Sequence, residues 1–99
     1  MKIAIKNEKG EQIGRIIYKV CGEVEKNRYI ELESIQISSE YQRQGYGVKL
    51  TEKLVEKARE LKAGEIYCFT TIKNTDFQQF LIKCNFTKHP EKELWHIAV

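Results

Sequence analysis

The chain has 99 residues, 17 Lys and Arg against 14 Asp and Glu, and a formal net charge of +3. That length holds one domain with one modest core, and 41% hydrophobic residues with a single proline exclude a disordered chain. The mild, scattered positive charge gives no nucleic-acid surface, no apolar run is long enough to span a membrane, and the three cysteines lack metal-ligand spacing and are expected to stay reduced. With no signal-peptide pattern, the cytoplasm is the expected compartment.

The N-terminal third reads as a β-meander. Lys2-Ile3-Ala4-Ile5-Lys6 alternates, residues 7–11 turn, residues 13–21 form a second strand and residues 22–27 a second turn. Residues 28–37 mix β-branched and aromatic residues with partial alternation, which predicts a third strand. The run Gln42-Arg43-Gln44-Gly45-Tyr46-Gly47 follows. After it, Leu50, Leu54, Ala58 and Leu61 make an apolar stripe at helical spacing, with Lys49, Glu52, Lys53, Glu56, Lys57 and Glu60 on the solvent side. Gly64 is placed to cap this helix in the left-handed conformation. Residues 65–71 predict a fourth strand. Asn74 and Thr75 are N-cap types before a second helix with the stripe Phe77, Phe80, Leu81 and Cys84, and Asn85 is suited to its left-handed end. Residues 85–89 and 94–99 read as two short strands around Pro90. The predicted order is βββαβαββ, an α+β domain over residues 1–99.

A strand, a glycine-containing loop and a helix in that order aim free backbone N–H groups at the helix mouth, a geometry that binds phosphate or pyrophosphate. Gly45 and Gly47 are too close together for a P-loop, and no Gly-Lys-Ser follows. The dinucleotide fingerprint needs a third small residue where the chain has Leu50, and a paired βαβ fold needs more chain. What remains is the pattern Q/R-x-x-G-x-G/A.

On these residues the chain resembles the GNAT superfamily of N-acetyltransferases. The match runs from Ile37 through Ser38-Ser39-Glu40-Tyr41 and Gln42 to Gly47, with the helix behind it. Ser39 stands where members often have proline, and Gln42 where they often have arginine. Further on, Asn74 and Phe86 match the family pattern. Asn85 replaces a glycine, and Leu81 falls where the signature tyrosine is expected. The resemblance covers about residue 28 to the C-terminus. It implies a mostly antiparallel, twisted central sheet with two helices, in a short member lacking the usual first strand and two helices. The acceptor side would then be open, or completed by a second subunit in a homodimer.

The resemblance also implies the chemistry. Acetyl-coenzyme A would be the cosubstrate, with no metal, and an amine on a small molecule or protein the acceptor; no nucleic acid or membrane partner is expected. The loop residues Gln42, Arg43, Gln44, Gly45, Tyr46 and Gly47 would hold the pyrophosphate, the backbone of Ile35 and Ile37 the pantetheine and thioester, and Asn74 would lie near the pantetheine arm. Glu31 matches the family's general base. Glu33 is a second candidate, sharing its face if the strand is regular, and in that case Ile35 and Ile37 share it too. With leucine at the acid position, coenzyme A would leave as the thiolate, since a free thiol has a pKa of about 8.5. Tyr46 and Tyr67 are alternative donors, and Cys68 an alternative acyl-accepting thiol. His89 and His96 read as surface strand residues. A non-catalytic coenzyme A-binding or protein-interaction module on the same fold is the alternative function. A small nucleotide-binding α/β protein is a third reading, against which the lack of a P-loop lysine and of an acidic metal-binding motif counts.

Overall fold

The computed structural model of the chain describes residues 1–24, 26–70 and 75–99. Its elements are β1 (Lys2–Lys6), β2 (Gln12–Cys21), β3 (Tyr29–Ile37), a short 3-10 turn (Ser39–Tyr41), α1 (Tyr46–Glu60), β4 (Glu65–Phe69), α2 (Thr75–Lys83), β5 (Thr87–Lys88) and β6 (Leu94–Ala98). The βββαβαββ order is the expected one. The strands form one sheet in the order β1-β2-β3-β4-β6-β5, and among the described residues only β3 and β4 pair in parallel. No helix among the described residues is long and apolar enough to cross a membrane.

Both helices lie on one face of the sheet. Leu50, Leu54 and Ala58 of α1 and Leu81 of α2 join Ile16, Tyr18, Ile30, Leu32, Ile66, Cys68 and Trp95 from the strands in one buried cluster. The inward strand residues follow the period-two alternation and the helix residues the 3.6-residue period, so each element contributes one apolar face to a single core. The opposite face of the sheet carries Lys19, Glu31, Tyr67 and His96 in one cross-strand row.

Both helix ends have physical causes. Asn85 adopts φ +69° at the end of α2, where the Phe86 N–H donates to the Leu81 C=O (2.9 Å) and the Asn85 N–H to the Ile82 C=O (3.0 Å). This Schellman arrangement is the expected role of Asn85. The end of α1 departs from expectation, because the left-handed residue is Lys62 (φ +58°), not Gly64. The Ala63 N–H donates to the Ala58 C=O (2.8 Å) and the Lys62 N–H to the Arg59 C=O (3.1 Å), closing the motif two residues early. Gly64 instead leads into β4, donating to the Arg28 C=O (3.0 Å) and accepting from the Val99 N–H (3.1 Å).

The start of α1 also differs. The helix takes in Tyr46 and Gly47, and Gly45 is the N-cap. A Cβ on Gly47 would lie 2.8 Å from Phe80 Cε1, so the missing side chain lets α2 approach the first turn of α1. The approach of the Phe80 ring is thus a packing reason for Gly47, before any ligand is considered. Overpacking of this kind costs ~1–3 kcal/mol. Gly47→Ala is expected to lower the chemical denaturation midpoint by that amount, and Phe80→Leu in the same chain to recover part of it. Equal midpoints for wild type and Gly47→Ala would remove this contact as the reason for the glycine.

Candidate functional site

β3 and β4 pair through Tyr29–Glu65, Ile30–Ile66, Glu31–Tyr67 and Leu32–Cys68, and the ladder stops there. β3 runs on to Ile37 and β4 ends at Phe69. Beyond Leu32 the β4-side edge of β3 therefore has no strand partner among the described residues.

The backbone of β3 shows which groups face the gap. The Ser38 N–H donates to the Ile13 C=O (2.9 Å), toward β2. Alternation along an antiparallel ladder turns Gln36 the same way and Ile35 and Ile37 the opposite way, toward the gap. The Ile37 C=O agrees with this, because it accepts from Gln42 Nε2 (3.0 Å) rather than from β2. The N–H groups of Ile35 and Ile37 are thus donors aimed away from β2, along the edge of β3 that lies beyond the end of β4.

The loop stands at the same end. Gln42 is extended, Arg43 has φ +62° and Gly45 φ +84°. The side chains of Gln42 and Gln44 hold the loop from within: Gln42 through Ile37, and Gln44 through Nε2 to the Glu40 C=O (3.0 Å). The Tyr41 hydroxyl accepts from Asn7 Nδ2 (3.1 Å), and Tyr46 meets Tyr41 edge-on at 5.8 Å, tying the loop to the β1–β2 turn. The first backbone bond into α1 is from the Lys49 N–H to the Gly45 C=O (3.1 Å). The N–H groups of Tyr46, Gly47 and Val48 precede it, no side chain caps this end, and the first turn holds no acidic residue. A Cβ on Gly45 would meet nothing within 4 Å, so space lies open above the loop. Uncapped donors and the positive end of the helix dipole suit a phosphate.

The structure splits the predicted β3 residues between faces. Ile17 pairs with Ser34 and Tyr18 with Leu32, which leaves Glu33 as the extra residue of a β-bulge. Alternation changes phase there. Ile35 and Ile37 pack against the core, whereas Glu31 lies on the opposite face beside Tyr67. The regular strand that would have put all four residues on one face is not formed, and Glu33 is exposed at the irregularity. Asn74 lies outside the described residues.

Glu31 lines a groove of ≈ 720 Å³ on the open sheet face with Tyr29, Glu65, Tyr67, Phe69 and Leu94. The Tyr29 and Tyr67 rings meet edge-on at 5.2 Å, and His96 Nδ1 lies 3.3 Å from Glu65 Oε2. Burial and then the neighbouring Glu65 raise the Tyr67 phenol above its ordinary value, and a hydrogen bond with Cys21 raises that of Tyr29. Both therefore stay neutral through the physiological range. Glu65 and Tyr29 were not candidates from sequence: alternation marks each as a half-exposed strand residue, and only the parallel register brings them together.

Leu81, at the family's tyrosine position, is fully buried and has no proton to donate. Cys68 is 2% exposed, and burial, with a further contribution from Glu31, pushes its thiol up to about 12. A thiol so placed is neither accessible nor ionised at neutral pH, which removes it as an acyl acceptor.

A family model described as acetyltransferase (GNAT) family matches residues 2–86. No curated protein matches the chain. Among solved structures, an integron cassette protein from the mobile metagenome of V. cholerae is similar with a TM-score of 0.81 at 17% identity, over 92% of this chain and 56% of that one. Tetrahymena GCN5 gives 0.78 at 14% identity, over 99% and 67%. A GNAT-family acetyltransferase from Listeria monocytogenes gives 0.82 at 14% identity, over 99% and 64%. The chain thus spans 56–67% of the length of these three, and at such identities the likeness is one of fold.

The burial of the thiols has a measurable consequence. Alkylation mapped by mass spectrometry on the folded protein should reach half-exposed Cys21 first and spare Cys68 and Cys84, both of which burial raises. A folded-state pKa above the unfolded value means that the stabilising contribution is complete below the unfolded thiol pKa and is lost as pH rises toward about 12. The protection should therefore persist at pH values where free cysteine is already thiolate. Labelling of Cys68 as fast as Cys21 in the folded protein would contradict it.

Proposed function

We propose that this chain, which belongs to the GNAT acetyltransferase family, uses acetyl-coenzyme A to acetylate a primary amine by direct attack. The observation that carries the reading is the edge of β3 left without a strand partner beyond Leu32, beside the uncapped start of α1. A gap lined by backbone donors and a helix mouth free of acids fit the two polar parts of the cosubstrate, its pantetheine amides and its pyrophosphate. A coenzyme A-bound relative supports the same reading, since the structure of the NatC complex with Gag peptide and CoA matches with a TM-score of 0.75 at 17% identity, over 89% of this chain and 62% of that one.

Acetyl-coenzyme A supplies the acetyl thioester and a thiolate leaving group. The N–H groups of Gln44, Gly45, Tyr46 and Gly47 hold its pyrophosphate. Those of Ile35 and Ile37 donate into the gap, where they bind the pantetheine arm and meet a carbonyl oxygen that gains negative charge during attack. Glu31 takes a proton from the acceptor's ammonium, directly or through water, because an alkyl ammonium with a pKa of about 10 is not a nucleophile. The C–N bond forms, the C–S bond breaks, and the electron pair leaves on sulfur. A protein acid is not needed for a thiol with a pKa of about 8.5, which is consistent with the buried Leu81. That same leucine favours the second reading, a non-catalytic coenzyme A-binding module, which turnover with any amine would exclude.

Two experiments test the proposal. Gly45→Val places a side chain in the open space above the loop, and calorimetry should show acetyl-coenzyme A binding weakened at least about tenfold, or 1.4 kcal/mol. Equal affinity would sink the cosubstrate site. Glu31→Gln should lower turnover ~100- to 10,000-fold and change the dissociation constant of acetyl-coenzyme A only a few-fold, with the acidic limb of the wild-type pH profile, where a general base is lost by protonation, altered in the variant. Identical profiles would remove Glu31 as the base.

A further inference from the structure

We infer that the amine acceptor is a short aliphatic diamine, with the reacting amine at Glu31 and the second, as an ammonium, held by Glu65 and the rings of Tyr29 and Tyr67. The inference rests on the acetyl transfer proposed above and names the substrate class of the same site.

The parallel register sets Tyr29 beside Glu65 and Glu31 beside Tyr67. On one sheet face this makes a two-by-two square with carboxylates on one diagonal and phenols on the other. Two residues along a strand rise ~6.6 Å and neighbouring strands stand ~4.8 Å apart, so the two carboxylates are based roughly 8 Å from each other. A chain of about four or five carbons between two nitrogens covers that gap at ordinary bond lengths. The Tyr29 and Tyr67 rings, 5.2 Å apart at 89°, form a corner between the acids, and an ammonium is attracted to ring faces and carboxylates alike. Glu65 accepts from Tyr67 and lies 3.3 Å from His96, and a carboxylate has about four acceptor positions, which leaves room for a ligand.

The two ends of the groove differ. At the end nearer the splay are Phe69, 65% exposed, and Leu94, an apolar surface for methylene groups beside the reacting amine. At the other end are Lys26, Arg28 and Lys62. The groove therefore runs apolar, acidic, basic. Lys26 pairs there with Glu23 at 3.2 Å and Arg28 Nη1 donates to the Leu61 C=O at 3.1 Å, so the carboxylates that face the groove without such partners of opposite charge from this end are Glu31 and Glu65. Lys19 flanks Glu31 from β2 and is not part of the groove lining.

The test uses putrescine, n-butylamine and γ-aminobutyrate, which share a four-carbon chain and differ at the far end. Thiol release at saturating acetyl-coenzyme A should give a kcat/KM for putrescine at least about tenfold above that for n-butylamine, with γ-aminobutyrate the poorest. The putrescine-to-butylamine ratio should fall toward unity in Glu65→Gln and in Tyr29→Leu. Calorimetry without cosubstrate should show the same preference for putrescine and the same loss in both variants. Equal use and equal binding of putrescine and n-butylamine would overturn the inference. So would a preference for γ-aminobutyrate, which would mean that Lys26, Arg28 and Lys62 read an anion. If acetyl-coenzyme A does not bind, the acetyl-transfer proposal fails by itself, and the calorimetric preference still decides for or against the diamine site.

Discussion

The structure turns on the obligation of backbone donors and acceptors to find partners. β3 satisfies both of its edges only as far as Leu32. Beyond that residue one edge still pairs with β2, and the other faces a gap. A sheet interior does not tolerate such an edge unless water or a ligand completes it. The bulge at Glu33 contributes, because an extra residue bends a strand and increases its local twist just where the ladder to β4 ends. The gap is held from below by α1, whose buried Leu50, Leu54 and Ala58 share one core with residues of both strands.

The loop between β3 and α1 converts that gap into a site with a charged end. Its conformation is costly. Arg43 is left-handed without being glycine, a strain of roughly 1–2 kcal/mol. Hydrogen bonds from Gln42 and Gln44 and the contacts of Tyr41 and Tyr46 offset it. These glutamines therefore act chiefly as braces for the backbone, which leaves the backbone N–H groups and the exposed Arg43 to face a ligand. Gly47 serves a different purpose from Gly45. It lets Phe80 of α2 press against α1, and the Thr51 hydroxyl donates to its carbonyl at 3.0 Å, so the first turn of α1 is anchored from two sides.

The two faces of the sheet divide the work. One face is closed by the helices and carries the core. The other shows acids, phenols and an imidazole in cross-strand rows, with one wide groove beside the splay. α1 lies on the closed side, so in the proposed reaction a phosphate at its mouth and an amine in the groove would approach the gap from different sides of the sheet. Two reactants on opposite sides of one gap need no large movement to meet, and such positioning is itself a major part of catalysis.

The sequence by itself determined the element order, the apolar faces of both helices, the left-handed end at Asn85 and the loop ahead of α1. Each follows from local rules: hydrophobic period, left-handed propensity and the spacing of two glycines. It did not locate the end of α1, because Lys62 takes the left-handed position against its propensity once Ala63 is drawn into the core. It did not divide Glu31 from Ile35 and Ile37, because a bulge is a mismatch between two strands and has no signal in either one alone. Nor did it bring Tyr29, Glu65 and Tyr67 together around Glu31. That square exists only through the parallel register of β3 and β4, whose paired residues (Tyr29 with Glu65, Glu31 with Tyr67) lie 36 positions apart in the chain, a contact between distant segments that no short window of sequence contains.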